Sequence, residues 1–102
     1  MMNETRILWV DDEIDLLKPH ILFLEQKGYA LETATNGTDA ISLVQDSYFD
    51  LIFLDENMPG ISGIETLGKL KQIKPNIPIV MITKSEEEDI MKMQLVQTLL
   101  II

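Results

Sequence analysis

A chain of 102 residues is long enough for one domain with its own core and too short for two. Its 46% hydrophobic and 25% charged residues are ordinary globular composition, and the formal charge of −9 repels nucleic-acid phosphate and anionic membranes. The absence of cysteine excludes disulfides, thiolate nucleophiles and Cys-ligated metals; Met1 to Arg6 lacks the basic and apolar regions of a signal peptide, so a cytoplasmic chain is expected.

In chain order, Arg6-Ile7-Leu8-Trp9-Val10 is an apolar run that ends in Asp11-Asp12, the pattern of a buried strand. From Glu13 to Lys27, Ile14, Leu17, Ile21 and Leu24 fall at helical spacing, Leu16, Leu22 and Phe23 widen the stripe, and Gly28 stops the helix. Pro19 lies inside that helix and predicts a kink, since an interior proline costs on the order of 3 kcal/mol unless the helix bends. Tyr29 to Thr35 reads as a short second strand, Asn36-Gly37 as a turn, and Gly37 to Ser47 as a helix with Ala40, Ile41, Leu43 and Val44 on one face. Leu51-Ile52-Phe53-Leu54 then runs into Asp55 and on through Met58-Pro59-Gly60. Ser62 or Gly63 starts a third helix with Ile64, Leu67, Leu70 and Ile73 on one face, Lys74-Pro75-Asn76 ends it, and Pro78 to Thr83 is a fourth strand. Ser85 followed by Glu86-Glu87-Glu88-Asp89 reads as a solvated helix N-terminus. The β-α-β-α-β-α-β order implies an α/β fold, a doubly wound parallel sheet with helices on both faces.

Three strands thus end in Asp11-Asp12, Asp55 and Thr83, and in a parallel sheet those ends share one edge, where ligands of open α/β sheets bind. Locally each has a plainer reading, Asp55 as a turn residue and Thr83 as a β-branched strand end. Together they say more. Crowded carboxylates repel one another and are tolerated when a hard cation neutralises them; Mg²⁺ takes oxygen ligands and keeps waters that bridge to a phosphoryl group. An aspartate beside such a cation can attack phosphorus, and the Thr83 hydroxyl can donate to a transferring oxygen.

Asp11-Asp12 after the first strand, Asp55 with Met58-Pro59 and Gly63 at their offsets, and Thr83 after the fourth strand resemble the receiver domain of two-component response regulators over about residues 6 to 91. The resemblance implies a flavodoxin-like sheet in the order 2-1-3-4, with the fifth strand and helix missing or altered. It implies that Asp55 accepts a phosphoryl group from a sensor histidine kinase or phosphotransfer protein. Asp12 and Asp55 would hold Mg²⁺ through carboxylate oxygens, Asn57 through its backbone carbonyl and Asp11 through water, and Thr83 would be the switch hydroxyl. Trp9-Val10-Asp11-Asp12-Glu13 and Leu54-Asp55-Glu56-Asn57-Met58-Pro59-Gly60 are similar to receivers joined to an alkaline-phosphatase-like output domain, which would lie outside this chain.

Two departures accompany the resemblance. Lys84 stands where the wider family often has a small residue, and the expected Lys-Pro pair on a fifth strand is missing. Residues 4–91 are therefore expected to form an incomplete receiver and 92–102 an apolar tail without period or cap, too short to span a bilayer. With suitable codons, reading from the third base of the Lys92 codon turns the tail into Asp-Ala-Ile-Gly-Ser-Asn-Ile-Ala-Asp-Tyr, which looks like a receiver's continuation. Loss of one base after the Met91 codon accounts for that; a genuine tail extending a helix is the alternative.

The expected function is a phosphoacceptor without enzyme activity beyond self-phosphorylation and autodephosphorylation, acting on neither nucleic acid nor membrane. The alternative is a non-switching interaction module that lacks the phosphate-binding lysine. An aspartyl phosphatase wants a second acid two residues past the nucleophile, where this chain has Asn57. A dinucleotide-binding protein needs a glycine loop where Asp11-Asp12-Glu13 stands.

Overall fold

Each apolar run is flanked by turn residues and too short for a helix, and in the computed structural model, which describes residues 4–82, each becomes a strand of one sheet. The strands are β1 (Arg6–Val10), β2 (Ala30–Ala34), β3 (Leu51–Asp55) and β4 (Ile79–Ile82), all parallel, in the expected order β2-β1-β3-β4. Thr83, Lys84, the acidic run after Ser85 and the apolar tail lie outside the described residues.

Side chains alternate across a strand, so the sheet has two apolar faces. Leu8, Val10, Ile52 and Leu54 pack on one face with Ala40 and Val44 of helix α2 (Gly37–Asp46) and Leu70 of helix α3 (Gly63–Ile73). Ile7, Trp9 and Phe53 pack on the other with Leu17 and with Leu24 of helix α1 (Lys18–Gln26). Helices on both faces make the sheet doubly wound.

The region before α1 departs from the expected kinked helix. Ile14–Leu17 is a separate 3-10 turn, and α1 begins at Lys18, so Pro19 occupies its first turn. There the missing N–H has no intrahelical acceptor to lose, and no bend is required. At the other end Gly28 takes φ +98°, the left-handed conformation that closes a helix.

The expected apolar stripes are narrower than the spacing suggested. Leu16, Leu22 and Phe23 are exposed, while Leu17 and Leu24 meet the sheet. In α3 the buried side is Gly63, Thr66 and Leu70, and Ile64 is 63% exposed. Steps of three residues drift about 60° each on a helix of 3.6 residues per turn, which leaves Ile64 and Ile73 on opposite sides.

Gly68 sits in the interior of α3, exposed, with nothing within 4 Å of the place a Cβ would take. Gly68→Ala is expected to stabilise the chain by about 0.5–1 kcal/mol, read as a higher urea midpoint with an unchanged m-value.

Candidate functional site

Register brings the acids together. Val10 pairs with Leu54, so the next residue on each strand, Asp11 and Asp55, stand side by side at the carboxyl edge. Both strands remain held there: Asp11 N–H donates to the Ala34 carbonyl at 3.0 Å, and Glu56 N–H donates to the Ile82 carbonyl at 2.9 Å.

Asp11 and Asp55 are fully buried and Asp12 is exposed, and one ligand oxygen from each lies within 4.8 Å of the others. Two local turns fix the buried pair. Asp11 Oδ1 accepts the Glu13 N–H at 2.8 Å, and Asp55 Oδ1 accepts the Asn57 N–H at 3.1 Å. Asn57 is thereby tied to Asp55 through its backbone N–H.

The donor set fits a small divalent cation. All three groups are hard oxygen donors, the class that Mg²⁺ takes, and their oxygens lie within 4.8 Å of one another. Asp11, Asp12 and Asp55 are the residues that could hold such a cation; Thr83 lies outside the described residues.

Behind Asp55 the chain turns tightly through Gly60, which takes φ +82°. Ser62 then caps α3 by accepting the Glu65 N–H at 3.1 Å, a Ser-x-x-Glu signal that marks this start in the sequence. Gly63 donates its N–H to the Glu56 carbonyl at 3.0 Å, and a Cβ on it would overlap the Asp55 carbonyl oxygen. Sequence reasoning missed the next contact out. A Cβ on Gly37 would overlap Thr66 Oγ1 and stand 2.8 and 2.9 Å from Ile61 side-chain atoms, so α2 and the loop behind Asp55 interlock. The Asn36-Gly37 turn marked the position, but nothing in the sequence marked its neighbour.

A profile of the response regulator receiver domain matches residues 7–98. The chain belongs to that family. This receiver is 42% identical over 86 residues to the transcriptional regulatory protein ResD of Bacillus subtilis, covering 84% of this chain and 35% of that protein. It is 38% identical over 84 residues to a CpxR homolog of Haemophilus influenzae, covering 82% of this chain and 36% of that one. The receiver thus spans about a third of the length of these curated relatives. Among solved structures it is similar to response regulator TrrA of Thermotoga maritima in complex with Mg²⁺-BeF, with TM-score 0.73 and 34% identity over 88% of this chain and 79% of that one. It is also similar to a chain of the complex of histidine kinase ThkA with TrrA, with TM-score 0.72 and 30% identity over 93% and 98%. No helix among the described residues is long and apolar enough to cross a membrane.

Trp9, the one tryptophan, lies two residues before Asp11, its ring 4.8 Å from that of Phe53, itself two residues before Asp55. Cation binding at the edge is therefore expected to change Trp9 emission. A saturable change on Mg²⁺ titration of the chain, lost in Asp12→Ala, is the predicted outcome; a change that persists in the variant would place the cation elsewhere.

Proposed function

We propose that the chain is a phosphoacceptor receiver in which Asp55 takes a phosphoryl group from a phosphohistidine on a sensor histidine kinase or phosphotransfer protein. The supporting observation is the buried Asp55 carboxylate with Asp11 and Asp12 oxygens within 4.8 Å at the carboxyl edge of a receiver fold. An Asp55 carboxylate oxygen attacks phosphorus, the P–N bond breaks with its electron pair returning to the imidazole, and a carboxyl-phosphate anhydride forms. The Asn57 N–H on Oδ1 fixes the carboxylate rotamer for that attack. Asp12 and Asp55 would hold Mg²⁺ through carboxylate oxygens, Asn57 through its backbone carbonyl and Asp11 through water, and the cation would supply neutralisation of charge on the transferring oxygens. Thr83, one residue beyond the end of β4, is the switch hydroxyl.

The protein is cytoplasmic and signals without catalysing turnover of another substrate. Any output domain would lie outside this chain; the Trp9 to Glu13 and Leu54 to Gly60 stretches are similar to those of receivers joined to an alkaline-phosphatase-like one. The receiver comprises residues 4–91 and residues 92–102 are an apolar tail; the family match runs on to residue 98, so the gene codons decide between a genuine tail and one left out of frame by loss of one base after the Met91 codon.

The function is tested by incubating the purified chain with acetyl phosphate, with Mg²⁺ or with a chelator, and mapping the product by mass spectrometry. One phosphoryl group on Asp55, formed only with Mg²⁺, is expected. No uptake, or uptake at another residue, overturns the assignment.

A further inference from the structure

Helix α3 carries an outer strip of five exposed residues, Ile64, Glu65, Gly68, Lys69 and Gln72. Their spacing places them along one side of the helix, away from the buried Thr66 and Leu70. An exposed isoleucine alone is unremarked on a protein surface, and so is one helical glycine. Their arrangement on this strip is what matters. Gly68 has no Cβ and open space above it, so it floors a hole edged by Glu65, Lys69 and Gln72, one turn from the projecting Ile64.

A knob and a hole on the same strip complement a second copy of themselves. When two α3 helices pack antiparallel about a two-fold axis, Ile64 of each enters the Glu65–Gly68–Lys69–Gln72 hole of the other. The same operation brings Glu65 of each copy near Lys69 of the other. Neither residue is in an ion pair among the described residues, so both are available for that exchange. A chain of net charge −9 repels its own copies, but this strip carries Lys69 against Glu65 and is itself neutral, so it adds no repulsion of its own.

We propose that the outer face of α3 is a docking surface for a second copy of this chain. A contact of two to three helical turns is smaller than the roughly 1,200 Å² of a stable interface, so the dimer is weak and concentration-dependent.

Sedimentation velocity on the full chain from on the order of 10 μM to 1 mM tests this, with circular dichroism melts showing that each variant folds. The sedimentation coefficient is expected to rise with concentration. Ile64→Glu should weaken association by about tenfold or more, the effect of losing one buried apolar side chain per copy. Gly68→Ala should raise stability yet weaken association, because its methyl fills the hole. Glu65→Lys and Lys69→Glu should each weaken it, and the two together should restore it. A chain that stays monomeric throughout overturns the proposal. Association indifferent to Ile64→Glu and Gly68→Ala overturns it too, by placing the contact on another face, and a double charge swap no better than either single one refutes the antiparallel pairing.

Discussion

Asp55→Asn is expected to take up no phosphoryl group from acetyl phosphate while folding as the parent does. The substitution keeps the shape of the side chain and its Oδ1 acceptor, so the 3.1 Å hydrogen bond from Asn57 N–H survives. It removes the nucleophilic charge. It also removes one of three carboxylates crowded within 4.8 Å, so without a divalent cation the variant should be as stable as the parent or more stable by about 1 kcal/mol. Intact-mass measurement after phosphodonor treatment reads the first effect and urea unfolding the second. Labelling equal to the parent would remove Asp55 from its assigned role; loss of labelling together with loss of fold would say nothing specific about chemistry, which is why both are measured.

Gly63→Val should be the most destabilising single change behind the site, at about 3 kcal/mol or more. A Cβ at this position would overlap the Asp55 carbonyl oxygen and stand 2.6 Å from Glu56 Cα and 2.9 Å from the Glu56 carbonyl oxygen. Those are backbone atoms of the strand end, so they cannot swing aside as a side-chain tip would. Gly60→Ala makes the comparison: space is open there, but φ of +82° strains any residue with a Cβ, and a loss of about 1 kcal/mol is expected. Urea denaturation of both variants checks the order. If Gly63→Val proves no worse than Gly60→Ala, the close packing of α3 against Asp55 is not what holds the loop.

The strands and the acidic edge were legible because each depends on local pattern plus one topological rule. Apolar runs marked β1, β3 and β4, and parallel pairing carried Asp11-Asp12 and Asp55 to one edge without further information. Helix faces were less legible because residue spacing is a coarse angular measure. Ile64, Leu67, Leu70 and Ile73 share a spacing but not a face, and the buried polar Thr66 replaced Ile64 on the inner side. Pro19 misled for a different reason. The 3-10 turn Ile14–Leu17 continues the helical apolar pattern, so the true first turn of α1 is hidden within it. Contacts between elements distant in sequence, such as Gly37 with Thr66 and Ile61, depend on tertiary approach and have no local signal.

The unequal exposure of the three carboxylates bears on kinetics. Asp12 faces solvent while Asp11 and Asp55 are enclosed, so a hydrated ion meets Asp12 before it sheds water to reach the others. Ionic strength screens an exposed charge far more than buried ones. Capture of the ion should therefore slow with added salt through Asp12, whereas its residence time, set by the direct contacts it would make with Asp12 and Asp55 once bound, should change less.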